Sequence, residues 1–188
     1  MPLYLKEVDV IPEVSKFKSA LIVLCRFCPA ASFSIRKQKP FIELFRRLLK
    51  NEAYDQYLNQ FRINLEKEGL RTDVFKGSLL NFMICMWTSG QREKCLNRVS
   101  GYEAAVVMGC EGAYQSVCEI VKSTDCRVFH GMTSEGVMGV TPKFKLPFTL
   151  SLELFGVTPI LHHKKEMEVL FMDPHPKADR VSAADPSA

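Results

Sequence analysis

Apolar positions in this chain come in two textures. Ala20-Leu21-Ile22-Val23-Leu24 is an unbroken apolar run, and Leu79 to Trp87 and Ala104 to Met108 are close to it. A run without polar alternation has no wet face, so it predicts a strand covered on both sides, as in a parallel sheet. Three such strands are expected at roughly 19–25, 79–87 and 104–110, with Cys126 to Gly131 as a shorter fourth. Between them the period changes to that of a helix. Pro40 is placed to open one, and Phe41, Leu44, Phe45, Leu48 and Leu49 then fall on one face. Asn51 predicts a cap, and Tyr54, Tyr57, Leu58, Phe61 and Leu65 carry a second helix to a stop at Gly69. The aromatic residues of this stripe read as core. Thr88-Ser89-Gly90 starts a helix that ends near Ser100-Gly101, and Ala113, Tyr114, Val117, Cys118 and Val121 mark one face of the next. Leu70 to Phe75 reads as a strand or an extended lead-in, and residues 1–18 as an arm without a clear period.

The order β-α-α-β-α-β-α-β predicts an α/β fold: a doubly wound, mostly parallel sheet of flavodoxin or Rossmann type over residues 1–131. Beyond it, Gly136, Gly139, Pro142, Pro147 and Gly156 punctuate short β-type runs, including Phe148 to Leu154 and Glu168 to Met172. This predicts a C-terminal antiparallel extension over 132–172, packed on the first part. Residues 173–188, rich in Pro, Ala, Ser and Asp, are expected to be a disordered tail.

Composition narrows the function classes. With 188 residues, 47% hydrophobic and 24% charged, the chain has the make-up of a globular protein. The net charge of +4 comes without a Lys/Arg run longer than two, so neither nucleic acid nor an acidic membrane surface is expected as a partner. Apolar segments stop short of the ~20 residues of a spanning helix. Glu7, Asp9 and Glu13 argue against a secretory signal, which makes a cytoplasmic location the expectation. In that reducing setting seven cysteines point to metal ligation, redox chemistry or plain burial.

Their positions separate these uses. Cys25, Cys85 and Cys110 each end a predicted strand, and Cys28 lies one turn beyond Cys25. Strand ends at the carboxyl edge of an open α/β sheet are where ligands bind. Four thiolates there suit a [2Fe–2S] cluster, and equally a tetrahedral zinc ion, because both take soft sulfur donors. His130, at the end of the fourth strand, points toward that edge, as a hydrogen-bond donor behind the ligands or a substitute ligand, with a satisfied structural histidine the plainer expectation. Cys95, Cys118 and Cys126 read as core, and His162-His163 as surface. The leading expectation is an iron–sulfur electron-transfer protein or subunit with one cluster on Cys25, Cys28, Cys85 and Cys110.

The residues quoted resemble the small iron–sulfur delta subunit of methyl-viologen-reducing hydrogenases. Leu24-Cys25-Arg26-Phe27-Cys28 is similar to that family's first cysteine cluster, Cys85 with Thr88-Ser89-Gly90 and Arg92 to its second, and Gly109-Cys110 after Ala105-Val106-Val107-Met108 to its third. The family usually doubles the first cysteine, where this chain has Leu24, and carries a Cys-His after the third cluster, where this chain has only Cys118. The resemblance spans about half the chain. It implies an oxygen-sensitive oxidoreductase subunit passing electrons to a protein redox partner or complex.

Two other classes compete. A thiol–disulfide oxidoreductase would use Cys25 and Cys28 directly, because a helix N-terminus can lower a thiol pKa. An assembly subunit without catalysis would bury its thiols or bind zinc, and Phe144, Leu146, Phe148 and Phe155 would then form a docking surface. Gly109-Cys110-Glu111-Gly112-Ala113 also has the outline of a nucleophile elbow, with His130 as the one candidate base. Gly-x-x-x-x-Gly-Lys, Gly-x-Gly-x-x-Gly, His-Glu-x-x-His and Gly-x-Ser-x-Gly are all missing from the sequence.

Overall fold

A computed structural model describes residues 2–43, 51–77, 83–145 and 149–160. Within them the chain forms two sheets. The first is parallel and contains β2 (Ser19–Leu24), β4 (Arg71–Lys76), β5 (Ala104–Met108) and β6 (Arg127–His130) in the order β4-β2-β5-β6. Its helices are α2 (Cys28–Arg36), α3 (Glu52–Lys67), α4 (Ser89–Val99) and α5 (Glu111–Val121). The second is antiparallel, in the order β1-β7-β8-β3, from β1 (Leu3–Glu7), β3 (Ile42–Glu43), β7 (Met132–Lys145) and β8 (Thr149–Pro159). A short helix, α1 (Ile11–Val14), links β1 to β2.

Burial explains the strand order. Every residue of β2 and β5 is buried, so these unbroken apolar runs take the two central places. β4 and β6 carry charged or half-exposed residues and take the edges. Each fully covered Val, Ile or Leu contributes about 1.5–3 kcal/mol of transfer free energy, which is why the apolar runs claim the centre. Helix α3 is capped as its sequence indicates: the Asn51 side chain accepts from the Tyr54 N–H at 2.9 Å. It stops where Gly69 adopts φ 86°, a left-handed conformation that glycine takes without a Cβ clash. Tyr54 and Phe33 pack α3 against α2, with ring centroids 5.5 Å apart.

The α/β reading with a parallel sheet holds, and four details differ from expectation. The arm at 1–18 contains a strand and a helix. β1 pairs antiparallel with β7, so the second sheet draws on both ends of the described chain. The second parallel strand is Arg71–Lys76, not 79–87; its half-buried edge position removes the need for an apolar run. Of 79–87, Ile84–Met86 forms a 3₁₀ turn and 78–82 lie outside the described residues. Pro40 does not open a helix over 41–43, because Ile42 and Glu43 pair with Leu150 and Thr149 of β8. The remainder of that stripe, 44–50, falls outside the described residues. The first helix of the β-α-α-β unit is instead α2, which begins at Cys28 with Pro29 in its first turn.

Gly136, Gly139 and Pro142 do not break the β-rich region into short runs. β7 runs through them for 14 residues, with one register shift between Gly139 and Val140. Leu146, Phe148, His162, His163 and the stretches 168–172 and 173–188 lie outside the described residues.

Candidate metal centre

The parallel strands run outward from β2 in both directions, first to β4 and then, across β2, to β5 and β6. The direction of winding therefore reverses between β2 and β5, the place at which open α/β sheets commonly bind ligands beyond the carboxyl ends of their strands. Cys25 is the first residue after β2. Two residues after β5 comes Cys110. The Cys25 N–H donates to the Met108 carbonyl at 3.0 Å, so the two turns are tied together at their base. Gly109 lets them approach. A Cβ there would sit 2.7 Å from that of Ala113, closer than carbon atoms tolerate, and a tight 3.1 Å from that of Cys25.

Each candidate residue is fixed by its own local chemistry. Cys25 is 2% exposed, and the N–H groups of Ile84 and Phe27 face its sulfur. Cys28 opens α2, its carbonyl accepting from the Ser32 hydroxyl at 2.9 Å. Ser32 Oγ in turn accepts from the Leu5 N–H at 2.9 Å, and the Leu3 N–H faces the Cys28 sulfur, so β1 braces the start of α2. Cys110 is 7% exposed and caps α5, its carbonyl accepting from the Tyr114 N–H at 2.9 Å. Cys85 lies at the apex of the 3₁₀ turn and is exposed.

Charges on neighbouring thiols reach Cys25, Cys28 and Cys85. Burial pushes Cys25 up to about 12, with the charges of Cys28 and Cys110 adding to the rise. Burial also raises Cys28, followed by the charges of Cys110 and Cys85, and it raises Cys85, followed by Cys110. As placed, no three His, Cys, Asp or Glu side chains among the described residues already stand in metal-ligand geometry. Backbone N–H groups face the sulfurs of Cys25 and Cys28, and soft sulfur is the donor type that zinc and iron–sulfur clusters take.

His130 lies in the same neighbourhood. Its Nε2 is 3.0 Å from the Gly109 carbonyl, so Nε2–H donates there, and its ring stacks on Tyr114 at 4.8 Å. Burial lowers its pKa against the opposing pull of that carbonyl and of Glu111. It supports the turn that carries Cys110. Cys95 is fully buried in α4, Cys126 is 3% exposed just before β6, and Cys118 is half-buried on α5. Phe144 and Phe155 are 79% and 77% exposed on the β7–β8 ribbon.

Two contributors were not visible in the sequence. Glu111, in the first turn of α5, accepts from the Ser134 N–H at 2.8 Å and from its hydroxyl at 2.7 Å. Burial works to raise its pKa, but the Ser134 hydrogen bonds outweigh that and hold the carboxyl below its ordinary value. This latch fastens the antiparallel sheet to the start of α5. Tyr54 is the other: fully buried, it donates to the Met108 carbonyl at 3.3 Å, the same oxygen that receives the Cys25 N–H. An acidic residue at a helix start and an aromatic residue on a core stripe carry no sequence signal for such roles.

The elbow resemblance fails on backbone geometry. Cys110 has φ −77° and ψ 175°, ordinary extended values, whereas a nucleophile elbow needs a strained turn.

The fold is thus α/β with a parallel sheet, and Cys25 and Cys110 follow adjacent strands where its winding reverses. No protein-family description, curated protein or solved structure matches the chain.

Proposed function

We propose that this protein is an iron–sulfur electron-transfer protein or subunit, with one [2Fe–2S] cluster held by Cys25, Cys28, Cys85 and Cys110. The observation that carries this reading is the neighbourhood of Cys25 and Cys110 at the carboxyl ends of adjacent strands, with Cys28 and Cys85 close enough for their charges to interact. Four thiolates repel one another, and an iron cluster supplies the positive charge that relieves the repulsion. The N–H groups of Ile84, Phe27 and Leu3 would hydrogen-bond the ligating sulfurs and favour the reduced state. The bound group supplies one-electron chemistry, and the chain supplies ligands, burial and sulfur hydrogen bonds. We read the sheet as flavodoxin-like on its order, with the site at the reversal point. A protein redox partner and a cytoplasmic setting complete the proposal.

The thiol–disulfide alternative is less well supported, because a reactive dithiol needs a lowered pKa and burial raises both Cys25 and Cys28. A structural zinc on the same four sulfurs is the closer competitor. Visible spectroscopy of anaerobically purified protein separates the readings. Absorption that bleaches on reduction supports the cluster, a colourless zinc protein supports the structural role, and a metal-free protein whose Cys25 and Cys28 pair reversibly supports the dithiol.

A further inference from the structure

β6 is an outer strand of the parallel sheet, and its outward edge is set in a groove. The Arg127 N–H donates to the Glu103 carbonyl at 2.9 Å and the Gly131 N–H to the Val107 carbonyl at 3.0 Å. Odd-numbered residues of β6 therefore face β5, and the N–H and C=O of Val128 point away from it. A groove of about 680 Å³ runs along this edge. One wall is made by Phe17, beyond α1, and Phe129, whose rings meet edge-on at 5.6 Å. Side chains alternate along a strand, so Val128 stands on the opposite face, where with Val121 of α5 it makes the other wall. Lys16, Lys122 and Arg127 line the groove with Glu13 and Glu119, leaving basic charge in excess. Main-chain hydrogen-bonding groups between two apolar walls form a seat for one extended segment covered on both faces. A second sheet edge would bring helices of its own and be held off by these walls.

We propose that the seat is taken by Glu168-Val169-Leu170-Phe171-Met172 of the same chain, added to β6 as a fifth strand of this four-stranded sheet. Val169 to Met172 is an unbroken apolar run, the pattern that β2 and β5 show with both faces covered. Glu166, Glu168 and Asp173 are the charges nearest the run, which suits a groove with excess cations. The chain also reaches. Pro159 pairs with Gly136 of β7, which follows β6 directly, so it stands no more than about 25 Å from the end of β6. Residues 160–167 let the chain extend up to about 30 Å from Pro159 before Glu168. The Val128 N–H would donate to a carbonyl of the segment and its C=O accept from a segment N–H, closing an edge otherwise open to a foreign strand. Of the cysteines, Cys118 and Cys126 line the groove and the four assigned to metal do not, so the docking is independent of metal.

Amide hydrogen exchange of the full chain, read by mass spectrometry, tests the docking in the wild type, Val128→Pro and Leu170→Asp. Proline at 128 removes an outward N–H and leaves the ladder to β5 intact, and aspartate at 170 puts a charge in the apolar seat. In the wild type, 168–172 should exchange at least roughly tenfold more slowly than an unstructured peptide of that sequence, and both variants should lose this protection. Leu170→Asp alters no residue of the groove, so it carries the test if Val128→Pro fails to fold. Exchange of 168–172 at the unstructured rate in the wild type overturns the proposal, as does protection that survives in either folded variant. Protection that vanishes on dilution, together with a dimer in light scattering, gives the segment to a second copy and overturns docking within one chain.

Discussion

Cysteines lie near both ends of the parallel strands, and the two ends treat them differently. At the amino end, Cys126 leads into β6, and Cys95 in α4 is near enough to sense its charge. Burial pushes each up to about 12, and at Cys126 burial is the sole cause. At the carboxyl end Cys25 also reaches about 12, yet there two backbone N–H groups face the sulfur and the charges of two other thiols reach it. The two ends share a pKa and differ in what faces the sulfur. A buried thiol without donors gains nothing from losing its proton, whereas N–H groups facing a sulfur favour its thiolate form.

The largest test of that contrast replaces one sulfur at each end. Cys25→Ser and Cys110→Ser should abolish metal binding, while Cys95→Ser and Cys126→Ser should keep full metal stoichiometry and lose about 1–3 kcal/mol of stability from an ill-matched buried hydroxyl. Metal content per chain and denaturation midpoints read both effects. Equal metal loss from both ends would erase the distinction.

Next in size is a pair of glycines in one turn. Gly109→Ala forces its new methyl against Ala113 and Cys25 and should cost about 1–3 kcal/mol as well as weakening metal uptake. At Gly112 the nearest atom to a new Cβ is the Cys110 sulfur at 3.9 Å, so Gly112→Ala should change stability by less than about 1 kcal/mol. Urea denaturation of both variants, with comparable costs, would place the packing constraint elsewhere.

Glu111→Gln should remove a charge-assisted contact to Ser134 and cost about 1–2 kcal/mol. The pH dependence has a definite sign. Because the folded carboxyl has the lower pKa, its stabilisation is present above the ordinary glutamate value near 4.5 and is lost as pH falls through the folded pKa. His130 works in the same direction: its folded pKa lies below 6.5, so acidification through that value also favours unfolding. Thermal melts from pH 7 to pH 3 should show the acid-side loss reduced in Glu111→Gln; an unchanged profile would remove the latch from the account.

The smallest signal belongs to the metal-free protein. With Cys28 raised above 9.0 by burial, its alkylation should be slow at neutral pH and still climbing beyond pH 9. A plateau near neutrality would instead mark a lowered thiol and favour the dithiol alternative.

Much of the parallel sheet was legible because its central strands have nothing but apolar residues to bury. Ser19–Leu24 and Ala104–Met108 announce themselves for that reason, as does α3 between its Asn51 cap and Gly69. Arg71–Lys76 was harder, since an edge strand with Asp73 and Arg71 on it shows no unbroken run. β1 was missed because its partner, β7, lies more than a hundred residues away, and nothing local encodes that pairing. Cys25 and Cys110 follow their strands as expected, while Cys28, expected in a loop, instead opens α2, since the first helix starts there and not at Pro40. Cys85 was assigned to a strand end on the strength of an apolar stretch, but Ile84 and Trp87 are apolar because they anchor a turn. Strand order, which makes Cys25 and Cys110 neighbours, depends on which crossover goes which way and is not written in any single segment.

The most direct test of the central claim is the iron and acid-labile sulfide content of the chain after anaerobic reconstitution, measured beside Cys110→Ser. The account predicts about two irons and two sulfides per wild-type chain and essentially none in the variant. A wild-type chain that retains neither, or a variant that binds as much as the wild type, would contradict it.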